Sequence, residues 1–312
     1  MNTLHRPLLK IALTVVFILA AAADLHAKKT IGVIMTGDIP YYRAIHEAFV
    51  AEINSRFAGS EKIEIILQRP FPNPISWSNA ARKLIAFDVD LIVTYGLPAA
   101  EAVIHEKSRI PLVYAGLFEP ENAAIKAKNA TGCGFKVPLS SILRYFKRLK
   151  TVNTLGILFC SLEEDSVRQF ETMQDLAAQQ NIKTEKIDIR SRADLDKLKA
   201  MESDVVFISG SSLVHLFLDD IIKLLEQQRI PVATIFPDDT EAGVLVTLSQ
   251  PPISQGHLAA EMAWQILLGT KPADINAYTF RDTELVFNKV EARRLEIDFP
   301  IQLLIEATRV IE

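Results

Sequence analysis

The sequence has few of the residues that build zinc sites, with two cysteines and six histidines among 312 residues. Cys133 and Cys160 fall at the ends of two different predicted strands. A chain of this length can build its own hydrophobic core without a disulfide, so we expect two buried thiols. Because no histidines cluster beside them, the composition argues against a metal site, and we expect no cofactor.

A strong excess of charge of either sign is also missing. Lys and Arg number 34 against 38 Asp and Glu, which gives a formal net charge of -4. No run of Lys or Arg forms the basic footprint that a nucleic-acid binder needs. We therefore exclude nucleic acid as a partner.

Long apolar runs are rare, and residues 11–23, "IALTVVFILAAAA", form the one that stands out. Basic residues precede this run and small residues follow it, as in a secretory signal peptide. The run is short for a bilayer span, and an uncleaved anchor is the alternative. We predict a signal peptide over residues 1–27, cleaved near Ala27 or at Ala23, and no lipid anchor because no cysteine lies near the cut. The mature protein is then expected to be soluble and periplasmic.

Signatures of catalysis are absent. The chain has no Gly-x-Ser-x-Gly elbow and no Walker lysine, and the glycine of "IGVIMTGD" comes too early for a dinucleotide fingerprint. The histidines after the predicted signal peptide fall within predicted helices rather than at strand ends. We expect no catalytic residues, and the enzymatic alternative is an exported α/β enzyme that uses Asp38 and Glu119 as acid and base.

The sequence does have a regular alternation of strands and helices. The branched apolar run "KTIGVIM" is followed by "YYRAIHEAFVAEINSRF", whose apolar positions recur at helical spacing. The alternation is interrupted by an amphipathic helix over residues 139–153 and resumes at "TLGILFC". Further helices are predicted over "RADLDKLKAM" and "LVHLFLDDIIKLLEQQ". This pattern is typical of parallel sheets covered by helices on both faces.

The two halves of the chain resemble each other. "VDLIVTYG" and "SDVVFISG" are each followed by a helix and then by "RIPLVYAG" or "RIPVATIF". We predict an α/β fold of two doubly wound, Rossmann-like lobes joined by a multi-strand hinge. The first lobe comprises residues 28–148 with about 250–278, and the second comprises 149–249 with about 279–312.

The ends of the predicted strands are the candidate binding residues, because ligands of open parallel sheets bind beyond the carboxyl ends of the strands. In the first lobe these residues are Thr36, Asp38, Tyr42, Tyr95, Gly96, Leu97, Phe118 and Glu119. In the second lobe they are Ser161, Ser166, Ser211, Ser212, Phe236 and Asp238.

Some of these strand ends have a definite chemical use. "SGSSL", residues 209–213, places glycine and serine at a helix start, where free N–H groups can bind a carboxylate or a phosphate. Ordinary helix capping is the alternative for this segment. Aromatic residues at or beside the strand ends could sandwich a flat or apolar ligand, or they could pack the hinge; they are Tyr41, Tyr42, Tyr95, Phe118 and Phe236.

Several segments, in this order, carry a family resemblance: "KTIGVIM", "VDLIVTYGLPAAEAV", "IPLVYAGLFEPE", "ATGCGF", "TLGILFC", "IPVATIF", "AGVLVTLS" and "GHLAAEMAWQILLGTKPADI". Over about residues 29–297 the chain resembles the ABC-transporter substrate-binding protein family that includes tryptophan and tyrosine binders. The resemblance implies a type I periplasmic-binding-protein fold, in which two lobes close over a ligand about a three-strand hinge. It also implies a membrane permease as partner.

The resemblance places ligand contacts at the strand ends named above, with departures from the family pattern. Where the family commonly has Thr-Asp-Pro, this chain has Phe-Glu-Pro, beginning at Phe118. Ser211 and Ser212 stand in place of Asp-Asn, and Phe236 stands in place of an expected Asp. These changes remove groups suited to an amino-acid ammonium, and they leave a less polar or anionic ligand equally open.

We therefore predict an exported, monomeric solute-binding protein of an ABC transporter. Glu119 and Tyr95 would hold one side of a small molecule, possibly amino-acid-like, aromatic or anionic, and Ser161 with the "SGSS" helix start would hold the other. A ligand-sensing module for a membrane sensor kinase or chemoreceptor is an alternative, and an interaction domain without a ligand is a third.

Overall fold

The structure is a computed structural model that describes residues 29–57, 63–123, 125, 127–237 and 242–312. The predicted signal peptide and the candidate residue Asp238 lie outside the described residues. Within the described ranges, none of the helices has both the length and the apolar composition needed to cross a membrane.

The first sheet contains six strands, and all neighbouring strands are parallel. The strands are β1 (Lys29–Met35), β2 (Ile63–Gln68), β3 (Leu91–Tyr95), β4 (Leu112–Phe118), β5 (Ala130–Phe135) and β11 (Tyr278–Phe280). Their order across the sheet is β11-β5-β4-β3-β1-β2. Every residue of β3 and β4 is buried, as expected for a parallel sheet covered on both faces.

The second sheet contains seven strands and is parallel except at one pair. The strands are β6 (Thr154–Phe159), β7 (Lys183–Asp188), β8 (Val205–Ile208), β9 (Val232–Thr234), β10 (Val246–Ser249), β12 (Glu284–Asn288) and β13 (Arg309–Ile311). Their order is β13-β12-β10-β9-β8-β6-β7, and β10 and β12 form the antiparallel pair. Two mostly parallel sheets with flanking helices confirm the predicted α/β fold class.

Helices cover both sheets. The α-helices of the described residues are α1 (Pro40–Arg56), α2 (Pro74–Ala86), α3 (Leu97–His105), α4 (Leu139–Leu149), α5 (Glu164–Ala178), α6 (Ser212–Leu216), α7 (Leu218–Gln227), α8 (Pro252–Leu267), α9 (Lys289–Leu295) and α10 (Ile301–Glu306). Proline occupies the first turn of α1, α2, α3 and α8, where its missing N–H leaves no helical hydrogen bond unmade.

The chain passes between the sheets more than once. After β10 of the second sheet it forms α8, which packs against α1 beside the first sheet. A Cβ on Gly256 of α8 would lie 2.4 Å from the carbonyl oxygen of Ile45, so the close approach of α1 and α8 requires glycine there. The chain then adds β11 to the first sheet and returns to the second sheet with β12.

Helix α4 packs beside the second sheet, although the predicted first lobe extends to residue 148. It contacts α5, and the ring of Tyr145 meets the ring of Phe287 in β12 edge-on, with 5.4 Å between their centroids. Arg148 of α4 pairs with Glu306 of α10 at 2.5 Å. Below, "first lobe" means the first sheet with α1, α2, α3 and α8, and "second lobe" means the second sheet with the remaining helices.

Two predicted helices take different forms. Residues Arg192–Ala200 form a 3₁₀ helix. Leu195 and Leu198 are both buried there, and their spacing of three residues suits three residues per turn. The predicted helix over "LVHLFLDDIIKLLEQQ" divides into α6 and α7 at Phe217, whose φ of -106° and ψ of 14° interrupt the helical path.

Both cysteines are buried and unpaired, as expected. The thiol of Cys133 lies 3.5 Å from the carbonyl oxygen of Gln255, to which it donates. Burial raises the pKa of Cys160 to about 12, with the nearby Glu163 carboxyl acting in the same direction. Each thiol is therefore a packed core group, and neither is an activated nucleophile.

Candidate functional site

The strand ends of the two lobes meet directly. A Cβ on Gly37, just after β1, would lie 2.8 Å from the Cβ of Ser212, just after β8. Arg168 of α5 donates from Nη2 to the carbonyl oxygen of Phe118, the last residue of β4, at 2.8 Å. The lobes are thus closed against each other at the edge where ligands of such sheets bind.

Aromatic rings from both lobes form one cluster at this edge. Tyr41 of the first lobe stacks on Phe236 of the second, with 4.1 Å between ring centroids and 12° between ring planes. Tyr42 lies edge-on to Phe236 at 5.8 Å, and Phe135 of β5 lies 6.2 Å from it. Phe118 extends the cluster through an edge contact with Phe135 at 5.8 Å. Phe135 was missed by the sequence analysis, which named Tyr41, Tyr42, Phe118 and Phe236.

Thr36, Tyr42 and Gly96 come together at the ends of β1 and β3. Gly96 has a φ of 90°, and a Cβ there would lie 2.5 Å from both Thr36 Oγ1 and the Tyr42 hydroxyl. Thr36 Oγ1 donates to the carbonyl oxygen of Tyr95 at 2.7 Å, and Leu97 is fully buried at the start of α3. Glycine therefore allows the backbone to touch the tyrosine hydroxyl.

The side chain of Tyr95 turns toward α1. Its hydroxyl lies 3.1 Å from Nδ1 of His46, which is the contact that satisfies this buried phenol. Burial, with Arg69 nearby, lowers the pKa of His46 to about 4, so its imidazole is neutral near pH 7. Tyr95 is thus tied into the first lobe.

Asp38 and Glu119 form ion pairs with different basic residues. Asp38 lies 3.4 Å from Arg43 and 3.5 Å from Arg69. Glu119 pairs with Lys136 at 2.7 Å, accepts from Asn122 at 2.7 Å and has a positive φ of 46°.

The two predicted serines after β6 have different environments. Ser161 is exposed and donates from Oγ to Asp188 at 2.7 Å, at the end of β7. Ser166 is buried, and its hydroxyl lies 2.8 Å from that of Ser209 while accepting from Cys160 N at 3.0 Å. Ser166 therefore links the end of β6 to the end of β8 through these two hydrogen bonds.

The "SGSS" helix start binds an internal carboxylate. Glu163 is 1% exposed, and its oxygens accept from Ser211 Oγ at 2.8 Å, Ser212 N at 2.8 Å and Leu213 N at 2.9 Å. Burial raises the pKa of Glu163, and these hydrogen bonds oppose the rise. The N–H groups predicted to bind a ligand anion are thus satisfied by the protein itself in this closed arrangement.

Asp165 lies next to Glu163 but has few contacts. It is 2% exposed, and the one hydrogen bond that its carboxylate accepts within the described part of the chain comes from Ser166 N at 3.1 Å. Burial raises the pKa of Asp165 to about 8, with Glu163 and Glu101 acting in the same direction and Arg168 against them.

A carboxyl pair bridges the two lobes nearby. Glu101 of α3 lies within hydrogen-bond reach of Glu164 at the start of α5. Burial and this neighbour raise the pKa of Glu101 to about 7. Arg168 pairs with Glu164 at 2.9 Å, which makes it the cation of this acidic group.

Buried amide groups complete the site. Gln255 of α8 accepts from Gly116 N at 2.8 Å and donates from Nε2 to the Tyr41 hydroxyl at 2.7 Å and to Gln250 Oε1 at 2.6 Å. The Oε1 atom of Gln169 accepts from Gly210 N at 2.7 Å. Gln169 Nε2, Gln250 Nε2 and Arg168 Nε are buried donors without a hydrogen-bond partner among the described residues. Such groups in a native structure require an explanation, and a bound ligand is one.

Most of these polar residues were not selected from the sequence. A signal for the carboxyls was present, because three acidic residues, "EED" from Glu163, begin four positions after the last residue of β6. Gln250 and Gln255 have no such signal in the sequence. Gln250 and Gln255 lie far from the first-lobe strand ends in sequence, and only the return of the chain through α8 brings them there.

Comparison with known proteins agrees with this architecture. A family model described as "ABC transporter substrate binding protein" matches residues 63–311. A "Tyrosine-binding protein" from Clostridioides difficile (strain R20291) is 20% identical over 285 residues, which are 88% of this chain and 83% of that protein.

Two solved structures share the fold. The ABC domain in complex with L-Trp from Streptococcus pneumonia has a TM-score of 0.84, and a conserved domain protein from Vibrio cholerae has a TM-score of 0.85. Each is 22% identical and covers 91% of this chain and 100% of its own. Because the family model spans most of the sequence, the chain belongs to the ABC transporter substrate binding protein family.

Proposed function

We propose that this protein captures a small molecule between its two lobes and delivers it to the membrane permease of an ABC transporter. The observation that carries the proposal is the interlobe contact itself. Tyr41 and Phe236 stack across the lobes, and buried polar groups that have no hydrogen-bond partner in the described part of the chain lie at the same edge. A binding protein of this kind needs a closed state that ligand contacts with both lobes can favour.

The chemistry of the interlobe site suits an amino-acid-like solute with an apolar or aromatic body. Rings of Tyr41, Tyr42 and Phe236 supply flat apolar surface. The unpaired donors of Gln169 and Gln250 suit an acceptor such as a carbonyl or carboxylate. Relatives named for tyrosine and L-Trp support this class of ligand.

In the lobe assignment that we propose, the chain first passes from one lobe to the other earlier in the sequence than predicted, after residue 138 and not after residue 148. The first lobe would comprise residues 29–138 with about 250–280, because α4 packs beside the second sheet and β11 belongs to the first. The second lobe would comprise residues 139–249 with about 281–312. Closure would then turn about the connections near Pro138, Gln250 and Arg281.

We also propose that the protein is exported to the periplasm after cleavage near Ala27, acts as a monomer and does not alter its ligand. The apolar run over residues 11–23 supports export. The separate ion pairs of Asp38 and Glu119 support a non-catalytic role for both carboxylates.

The test is a thermal-shift screen of the purified protein against amino acids, amines, carboxylic acids and sugars. We expect one chemical class to raise the melting temperature through mass action, and the ligand to be recovered unchanged by mass spectrometry. Small-angle scattering of the same samples should show a more compact particle with the ligand. Consumption of the ligand, or stabilisation by no class of solute, would overturn the proposal.

A further inference from the structure

We propose that closure of the two lobes takes up a proton at a cluster of carboxyl groups on their junction, so that the closed state and the affinity for the solute both weaken as the pH rises. This inference rests on the proposed function, because it concerns the movement that captures the solute. It does not depend on which solute is captured.

The cluster draws its carboxyl groups from both lobes. Glu101 belongs to α3 of the first lobe, whereas Glu163, Glu164 and Asp165 lie in and just before the first turn of α5 in the second lobe. Helices α3 and α5 contact each other across the junction. Glu163 and Asp165 are buried, and Glu101 is partly buried. Closure therefore moves the Glu101 carboxyl out of water and against acidic groups of the opposite lobe.

Arg168 of α5 is the cation that acts on this cluster. Its guanidinium pairs with Glu164 at 2.9 Å and donates to the carbonyl oxygen of Phe118 at 2.8 Å, which also joins the lobes. Together with its Nε donor, which is unpaired in the described ranges, Arg168 supplies a single positive charge. That charge does not balance four ionised carboxyl groups. Protonation of the cluster therefore favours the closed arrangement.

The other charged groups around α3 have different partners or face solvent. Strands β3 and β4, on which α3 packs, contain no charged residue. In α2, which also packs on α3, Arg82 pairs with Glu106 at 2.9 Å and Lys83 is exposed. His105 of α3 is exposed one turn after Glu101. The charges that act on Glu101 thus come from α5, in the opposite lobe.

The sign of the coupling follows from the protonation of Glu101 in the two states. In the closed chain, burial and Glu164 raise the pKa of Glu101 to about 7, and the neutral carboxyl can donate a hydrogen bond to Glu164. In the open form Glu101 returns to water, where its ordinary pKa is 4.5. Closure is therefore favoured below the lower value, and this contribution is lost as the pH rises through about 7.

Asp165 acts in the same direction. Burial raises its pKa to about 8, and Glu163 and then Glu101 add to the rise against the effect of Arg168. Because Glu101 reaches Asp165 when the lobes meet, closure also favours a proton on Asp165.

The experiment measures closure of the ligand-free protein by energy transfer between two fluorophores. They are attached to cysteines placed at Asn79 of α2 and Lys223 of α7, which are exposed positions on opposite lobes. The two native cysteines are buried and stay unlabelled. We expect the ratio of closed to open protein to fall about tenfold between about pH 5 and about pH 8, since partial exposure of Glu101 screens part of the effect.

Two variants locate the effect in the carboxyl cluster. Glu101→Gln stays neutral and should keep the lobes closed at high pH, so that most of the change is lost. Glu164→Gln removes the negative neighbour but leaves Glu101, and it should move the midpoint of the change to lower pH. The control is His105→Gln, which removes the exposed histidine of the same helix and should leave the pH dependence as in the wild type.

Energy transfer that does not change with pH in the wild type would overturn the inference, and so would a change that Glu101→Gln leaves intact or that His105→Gln abolishes. The thermal-shift screen separates this result from the proposed function. If a solute from that screen brings the fluorophores together while pH does not, the proposed function stands and this inference falls. If neither pH nor any solute changes the distance, both fall.

Discussion

The ring of Tyr41, in the first lobe, lies almost parallel to the ring of Phe236, in the second, at 4.1 Å between centroids. The Tyr41 hydroxyl accepts a hydrogen bond of 2.7 Å from Gln255, which fixes the ring from behind. Both residues are 1% exposed. The two lobes thus carry a preformed aromatic contact in the closed state.

Phe236→Ala should weaken closure. An aromatic pair contributes about 0.5–1.5 kcal/mol beyond the area that it buries, so we expect about a tenfold loss of affinity for the solute found in the screen. Calorimetry measures the affinity, and small-angle scattering should show a less compact ligand-bound particle.

The control for this variant is Phe170→Ala, which removes a stack on Phe159 within the second lobe, at 4.5 Å between centroids. It should lower the stability of that lobe and leave the compaction by ligand in place. Unchanged affinity and compaction in Phe236→Ala would show that the interlobe stack does not govern closure.

Gly37→Ala should block closure sterically. The added Cβ would lie 2.8 Å from the Cβ of Ser212, closer than such atoms approach in proteins, and 3.0 Å from Cγ of Pro72, which is a tight contact. Ser212 belongs to the other lobe, so the clash arises when the lobes meet. We expect a loss of ligand affinity of about tenfold or more with little change in the melting temperature of the ligand-free protein.

A compensating change tests this explanation. The double variant Gly37→Ala with Ser212→Gly removes the opposing Cβ and should recover part of the affinity. If the double variant binds no better than Gly37→Ala alone, the contact between these residues is not the cause of the loss.

Gln255→Leu should destabilise the fold. It would leave Gly116 N without its acceptor and remove the donor to Tyr41 and Gln250. A buried polar group left unsatisfied costs about 1–3 kcal/mol, so we expect a fall of that order in the free energy of unfolding measured in urea. Gln265→Leu, at a partly exposed position of the same helix, is the matched control and should change it little.

The carboxyl pair predicts a pH dependence of stability. Glu101 has an ordinary pKa of 4.5, which burial and Glu164 raise to about 7 in the folded chain. Between these values the folded chain holds a proton that the unfolded chain has released, so stability falls as the pH rises. Below pH 4.5 Glu101 is protonated in both the folded and the unfolded chain. Above about pH 7 it is ionised in both, and the loss of stability is complete.

Glu101→Gln should remove this contribution, because glutamine stays neutral throughout. The melting temperature of the variant should match that of the wild type at about pH 4.5 and exceed it at about pH 8. Because Glu101 also helps to raise the pKa of Asp165, the difference between the two proteins reports Glu101 together with its effect on Asp165. Glu171→Gln, an exposed change on α5, controls for the loss of one charge. A constant difference across the range would contradict the prediction.

The sequence predicted the strand ends better than it predicted their chemistry. Thr36, Tyr42 and Gly96 were selected because they follow β1 and β3 or open the next helix, and the structure brings them together. Glu119 was selected by the same rule, yet its carboxylate accepts a hydrogen bond from Asn122 in its own loop and pairs with Lys136 at the end of β5. The end of a predicted strand places a residue at the edge of the sheet. The direction of its side chain depends on the local backbone conformation, such as the positive φ at Glu119.

Residues distant in sequence were the hardest to predict. Gln255 reaches Gly116 across 139 positions because the chain returns to the first lobe through α8. Arg168 reaches Phe118 because the two sheets face each other. Neither contact has a periodic or local signature, since each depends on how the lobes are placed.

By itself, the sequence determined the alternation of strands and helices and the division into two mostly parallel sheets. It could do so because hydrophobic periodicity and the proline and glycine positions act over a few residues. Only the tertiary structure decided that Glu163 occupies the "SGSS" helix start and that Asp165 is buried beside two other carboxyl groups. The physical reason is that burial and pairing of a charge depend on every group that surrounds it in space, and those groups come from segments that the chain brings together only when it folds.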